Sequence, residues 1–386
     1  MYHAGVVACQ ICGALAWIPL PNPQPRRAVL SDLRALEDAL DKHACTTCGV
    51  VVGRWASSPR TLFESGYTLY DHAPGAPREE ARQSAYAEWI ASTVGHAPAR
   101  ILDVGCGNGS LLLALGRRWP AAALGGVDPS PESVIRARRA GIDARAGTLA
   151  ECDADTADLV LAVNVIEHVT DPAAFLRAAA RALRPGGALI VVCPDGEIPS
   201  VELLFADHLW SLTTSHVTRL VARTETLDIR ERSCAPVALG PFHMLRAVRK
   251  PAGERGGSIE RSLREPDGAV ESLIASKRYY LEQWRGLDDV LLRRAGNDEA
   301  LSCFGIGEAA GLLRAYAPRT WSRVTECLAD APERDSCAGL PVRAWGAGHE
   351  GRRVLLGVRP QVQAALAARL EAAACRVIRW DDLISA

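Results

Sequence analysis

The 386-residue chain carries a formal net charge of −1 with 48% hydrophobic residues, so nothing recommends a phosphate-backbone partner and no nucleic acid is expected. No apolar run reaches the length needed to cross a bilayer, so no membrane partner is expected either. The length exceeds one ordinary core and predicts two or three domains.

Taken from the start, the Val6 to Ile18 stretch is apolar enough to imitate a signal-peptide core. It lacks a basic leader and contains Cys9-x-x-Cys12, so it reads as mature protein. Twelve cysteines without a secretory leader point to reduced thiols, a metal site and the cytoplasm. Cys9-Gln-Ile-Cys12 and Cys45-Thr-Thr-Cys48 are two knuckles, each followed by a glycine, Gly13 and Gly49. Each can bring two thiolates to one face, and together they complete a four-sulfur shell for a structural zinc with no open position. A dithiol redox pair or free thiols is the competing reading. Between the knuckles lie a proline-rich bend (Pro19, Pro21, Pro23, Pro25) and a helix-like Leu30 to Leu40.

A loop with Pro74, Gly75 and Pro77 leads into an amphipathic helix, Arg78 to Thr93. Strand and helix then alternate to about Arg249. Ile101–Val104, Leu124–Asp128, Leu159–Val163 and Ala188–Cys193 read as strands, with helices over Pro131–Ala140 and Pro172–Leu183. Such alternation builds a parallel sheet with right-handed crossovers. Residues 250 to 297 are charged and helix-prone, with Gly256-Gly257 as a hinge. The pattern restarts at Leu301–Gly307, with a helix through Tyr316, a strand over Val324–Ala329, and later strands at Val354–Val358 and Val377–Trp380. The expected fold class is therefore α/β: residues 1–60 a zinc-binding domain, 61–250 a central α/β domain, 251–297 a helical connector and 298–386 a second α/β domain.

The chemistry concentrates at Asp103-Val-Gly105-Cys-Gly107-Asn-Gly109, where a strand ends and a helix begins. Glycine suits both the positive φ of such a turn and close approach of a ligand to bare backbone. Asp128 ends the next strand, where a carboxylate can accept two hydrogen bonds from vicinal ribose hydroxyls. Followed by Leu159-Val-Leu-Ala-Val-Asn164-Val-Ile-Glu-His168 and Leu183-Arg-Pro-Gly-Gly, this series resembles the class I S-adenosylmethionine-dependent methyltransferases, whose central domain is Rossmann-like. The resemblance assigns Gly105 and Gly107 to the methionine and ribose portions of S-adenosylmethionine, with Asp103 part of the same site. It gives Asp128 to the ribose diol, Pro129 and Ser130 to the adenine border, Leu149 to the adenine ring and Asn164 to the methionyl end. Thr148 stands where many relatives carry an acid for the adenine amine. Glu167-His168 reads as packing below the site. With Asn164 where a second carboxylate would be needed, no catalytic metal is expected there.

The whole chain resembles the zinc-binding sugar C-methyltransferases that act on nucleotide-linked keto-deoxysugars. Gly66-Tyr67 to Ser84 resembles that family's tyrosine-containing linker, Leu245-Arg246 the end of its catalytic sheet, and Phe304-Gly-Ile-Gly307 with Gly339-Leu-Pro-Val342 its terminal Rossmann-like domain. The family's Tyr-His-Glu-His cluster corresponds here to Phe205-Ala206-Asp207-His208. C-methylation beside a ketone needs a base for the carbon-bound proton, and His208 is the candidate, because imidazole titrates near neutrality. The Tyr hydroxyl that could stabilise an enolate oxygen is absent. His216 could replace or assist His208, and His243 alternates within a strand.

In the terminal unit, Gly305-Ile-Gly307-Glu308 imitates a dinucleotide turn, but Glu308 would repel a pyrophosphate. The resemblance instead implies that this unit holds the acceptor, with Arg314, Arg352 and Arg353 as possible phosphate contacts. The expected activity is methyl transfer from S-adenosylmethionine to a small acceptor, a nucleotide sugar methylated on carbon with a histidine base. An N- or O-methyltransferase of another small intermediate and a non-catalytic zinc-containing scaffold are the alternatives.

Overall fold

The computed structural model describes residues 8–54, 77–251, 268–296, 299–332, 334–346 and 348–384. The Gly66-Tyr67 stretch, the Pro74-Gly75 loop and the Gly256-Gly257 hinge lie outside these residues. By compactness the chain divides into two units. One comprises residues 1–18, 43–198 and 207–273, the other 19–42, 199–206 and 274–386.

The N-terminal strands are short: β1 (Trp17–Pro19), β2 (Ala28–Val29), β3 (Ala35–Leu36), β4 (Asp41–Cys45) and β5 (Val51–Arg54). The expected helix over Leu30 to Leu40 is absent. β2 and β3 pair antiparallel there, and Leu33 turns the chain at φ 68°, with Leu30 bonded to both Leu33 and Arg34. Asp32 accepts from the Arg34 N–H at 3.1 Å. A short acidic side chain that bonds its own backbone two residues on makes a turn, and here that local bond outweighs leucine's helical spacing.

Helix α1 (Pro77–Val94) precedes the main sheet. Its parallel part alternates β6 (Arg100–Val104), α2 (Ser110–Arg118), β7 (Ala123–Asp128), α3 (Pro131–Arg139), β8 (Asp143–Ala146), β9 (Ala157–Val163), α4 (Pro172–Ala182) and β10 (Leu183–Pro194). Ser130 and Asp171 cap α3 and α4, each with proline at the first turn, which is why these helices start where they do. After β11 (Trp210–Ser211) and α5 (Thr214–Ala222), β12 (Leu227–Cys234) and β13 (Phe242–Arg249) add on antiparallel. The seven strands run β12-β13-β10-β9-β6-β7-β8. The order reverses direction between β6 and β9, and in open α/β sheets the crevice beyond the strand ends at such a point takes ligands.

Leu159, Val160, Leu161 and Ala162 of β9 are fully buried, so both sheet faces are covered. One face packs on α1 and α2 through Ile90, Leu112 and Leu115. The other packs on α4 and α5, and the same apolar cluster includes Cys9, Ile11, Cys45, Cys48 and Val50. β11 pairs antiparallel with β5, closing a four-stranded sheet β1-β4-β5-β11.

In the other unit, α6 (Ala269–Ala295) contributes from Ile274 onward. Then follow β14 (Leu301–Phe304), α7 (Glu308–Tyr316), α8 (Pro318–Trp321), β15 (Val324–Ala329), β16 (Ser336–Cys337), β17 (Leu340–Ala344), β18 (Arg353–Leu356), α9 (Pro360–Ala372) and β19 (Arg376–Ile378). They form a six-stranded sheet ordered β16-β17-β15-β14-β18-β19. Both α/β patterns expected from the sequence are thus present. Among the described residues no helix is long and apolar enough to cross a membrane.

A Cβ added at Gly126 would lie 2.5 Å from the Cys106 sulfur and 2.7 Å from its Cβ. Gly126→Ala is therefore expected to cost about 1–3 kcal/mol by overpacking, measured as a fall in the urea midpoint at unchanged slope.

Candidate active site

Gly105, Gly107 and Gly109 adopt φ of 69°, 53° and 82°, a conformation in which a side chain would be strained. Gly105 also lies against Val165: a Cβ there would come within 2.8 Å of its methyl group. At Gly107 nothing lies within 4 Å of where a Cβ would stand, so the space above this bend is open. Just before α2, Asn108 accepts from the Ser110 N–H at 3.1 Å and its hydroxyl at 2.7 Å.

Asp128, 8% exposed, spans the end of β7. One carboxylate oxygen accepts from the Gly107 N–H at 2.9 Å and the other from the Ser130 N–H at 2.8 Å. Burial pushes its pKa up, and the two backbone bonds pull it back. Asp103 is 3% exposed. Burial, and secondarily the Asp128 charge, push its pKa up to about 8. Pro129 is half-buried beside Asp128, and Leu149 opens a single helical turn within the apolar cluster that includes Val104 and Val127. Asn164 follows β9 at φ 57°, and its side-chain oxygen is buried without a hydrogen bond.

Beyond the carboxyl end of β9, a single turn over Ile166–His168 carries Glu167 and His168. Asp207 and His208 join them. The His168 Nδ1 lies 2.8 Å from the Asp207 carbonyl oxygen and 3.7 Å from its carboxylate. The rings of His168 and His208 meet edge to face at 4.7 Å. His208, 7% exposed, is neither a helix cap nor a surface residue. Ligand atoms of Glu167, His168 and His208 lie within 4.8 Å of one another. This grouping of three was not legible in the sequence, where His208 stands forty positions from His168.

His216 is different. The Thr213 N–H donates to its Nδ1 at 3.1 Å, and its Nε2 lies 2.7 Å from the Cys48 carbonyl. With both nitrogens engaged, it caps α5 and braces the second knuckle. His243 is 2% exposed, with its Nε2 3.1 Å from the Cys193 sulfur and its Nδ1 3.6 Å from Asp195.

Cys9, Cys12, Cys45 and Cys48 converge as free thiols. Cys9 lies 3.7 Å from Cys48 and Cys12 lies 3.6 Å from Cys45, sulfur to sulfur. A tetrahedron with metal–sulfur bonds of about 2.3 Å has edges of about 3.8 Å, so these residues fit a four-thiolate metal. In the terminal unit, Gly305 is required by packing, since a Cβ would meet the Gly357 carbonyl at 2.1 Å. Glu308 pairs with Arg359, Arg352 with Glu326, and Arg353 with Glu299. The two adjacent arginines thus serve internal ion pairs.

Residues 78–227 match the methyltransferase domain family. Over 112 residues the chain is 44% identical to a ubiquinone biosynthesis O-methyltransferase of Azorhizobium caulinodans, covering 27% of this chain and 44% of that one. It is 38% identical over 112 residues to a trans-aconitate 2-methyltransferase of Methylobacterium nodulans, covering 28% and 43%. Among solved structures, an S-adenosylmethionine dependent methyltransferase from Mesorhizobium loti superposes with TM-score 0.36 at 20% identity, over 42% of this chain and 98% of that one. The chain spans about half the length, or less, of the curated relatives it matches.

A carboxyl whose folded pKa stands above its unfolded value favours the folded state fully at low pH and loses that contribution as pH rises through the folded pKa. For Asp103 the window runs from about 4 to about 8. The melting temperature of the ligand-free protein should therefore carry a falling component across that window, which Asp103→Asn removes. An unaltered pH profile in differential scanning fluorimetry would show that Asp103 is ionised throughout.

Proposed function

We propose that the protein transfers a methyl group from S-adenosylmethionine to a small-molecule acceptor. The observation that carries this reading is the Asp128 carboxylate at the end of β7, bonded to the Gly107 N–H beneath an open space. The cofactor supplies an electrophilic methyl on a sulfonium centre. Asp128 would hold its ribose hydroxyls by exchanging the Gly107 bond for the diol, with Gly105 and Gly107 giving backbone contact. Leu149 and Pro129 would border the adenine. Asp103, and Asn164 with its unsatisfied oxygen, would face the methionyl portion.

For the acceptor, we favour a nucleotide-linked keto-sugar methylated on carbon. The support is the combination of four converging thiols, a methyltransferase domain and a second α/β sheet in one chain. In this reading the acceptor loses its proton at the cluster of Glu167, His168, Asp207 and His208, and His208 is the imidazole named as base. A second reading, methylation of oxygen, is favoured by the names of the relatives. The four thiolates would hold a structural zinc, which contributes to folding and performs no chemistry.

S-adenosylhomocysteine binding followed by calorimetry tests the main reading. Wild-type protein should bind, and Asp128→Ala should weaken binding by at least tenfold. An absence of binding by the wild type removes the enzymatic reading and leaves a scaffold. Zinc analysis of the purified protein should give about one ion per chain bound by four cysteines. Cys45→Ser should lose that ion and lower the melting temperature, whereas retention of zinc by this variant would refute the four-thiolate site.

A further inference from the structure

We infer that the two cysteine knuckles set the geometry of the acceptor side, with His216 as the positioning residue that ties Cys48 to the stretch presenting His208. The inference rests on the proposed reading, in which the acceptor loses its proton at Glu167, His168, Asp207 and His208, though its test does not. Two segments far apart in sequence, 166–170 and 207–213, build that cluster and its surroundings. Each is bonded to a knuckle.

The first knuckle holds the earlier segment. Gln10, between Cys9 and Cys12, donates from its side-chain amide to the Thr170 carbonyl at 3.3 Å. Its own carbonyl accepts from Arg223, at the end of α5, at 2.7 Å. The second knuckle holds the later segment. Val51 and Val52, just beyond Cys48, pair with Ser211 and Trp210, and the Gly53 N–H donates to the Leu209 carbonyl at 2.8 Å. The Trp210 indole then donates to the Val169 carbonyl at 2.7 Å, which joins the two segments to each other.

His216 closes this arrangement at the thiol cluster itself. Its Nε2 lies 2.7 Å from the carbonyl of Cys48, one of the four converging cysteines. A carbonyl only accepts, so Nε2 carries the hydrogen, and Nδ1 keeps the lone pair that the Thr213 N–H uses at 3.1 Å. One neutral tautomer therefore serves both bonds. His216 and Thr213 are buried, so both bonds are shielded from water. Bonds of this kind, one step out from a metal's ligands, orient the residues that hold the ion.

The bonds run in both directions. With four thiolates on one ion, Cys48 has a single position, and through His216 and β5 so does the stretch from Asp207 to Thr213. The edge-to-face meeting of His208 with His168 depends on that stretch, because the Asp207 carbonyl lies 2.8 Å from the His168 Nδ1. The cofactor side is held otherwise, by the bonds of Asp128 to Gly107 and Ser130. Proton transfer needs its partners within hydrogen-bond reach. Loosening the knuckles therefore costs deprotonation of the acceptor before it costs cofactor binding.

Hydrogen exchange of the zinc-loaded full-length protein, read by mass spectrometry, tests this with two substitutions. In His216→Asn the side-chain oxygen stands where Nδ1 stood, so the bond to Thr213 survives while the reach to Cys48 is lost. In His216→Gln the amide nitrogen stands where Nε2 stood and restores the donor to Cys48. The amides of residues 207–213 should exchange at least about tenfold faster in the Asn variant, and within about threefold of wild type in the Gln variant. S-adenosylhomocysteine affinity should stay within about twofold in both. A merely local cap on α5 predicts the reverse order; that result, or wild-type exchange in the Asn variant, overturns the inference. A second measurement needs no substitution: a chelator that withdraws zinc from the wild type should raise exchange at 207–213 more than at 101–105. Equal protection of 207–213 with and without zinc overturns it as well. Absence of S-adenosylhomocysteine binding by the wild type would instead sink the methyl-transfer reading and leave this coupling measurable.

Discussion

The bond between the Asp128 carboxylate and the Gly107 amide organises the end of the seven-stranded sheet. It ties the end of β7 to the bend after β6, so two strand ends and one helix start share a single buried charge. A buried carboxylate is costly unless its oxygens are satisfied, and here each accepts a backbone N–H. In the proposed reading, a ligand with two vicinal hydroxyls would take over part of that bonding.

Asp103 makes the same point in electrostatic terms. Burial first, and the neighbouring Asp128 charge second, push its carboxyl toward neutrality. In the proposed reading, a cationic ligand would relieve the Asp128 part of that shift.

The parallel core was legible because its strands are short apolar runs ending in glycine, asparagine or aspartate, with proline and Asp or Ser marking the helix starts. The glycine bend and Asp128 were legible for the same reason, since their chemistry is local. The Leu30 to Leu40 region misled because leucine spacing says nothing of the turn that Asp32 makes with its own backbone. The bond of His216 to the Cys48 carbonyl was not legible, because only the fold brings these two residues together. The meeting of His168 with His208 was out of reach altogether, since nothing local records a contact across forty positions.

The apolar cluster beneath the sheet admits no boundary between the cysteine knuckles and the strands of the seven-stranded sheet. Cys45, Cys48 and Val50 sit in it beside Val160, Leu189 and Leu245, and β5 extends to the very segment that follows His208. Cutting the chain after its N-terminal sixty residues would strip hydrophobic cover from the sheet's underside. What the family match delimits as a domain is, in this protein, an incomplete physical object. Its evolutionary outline and its cooperative folding unit do not coincide.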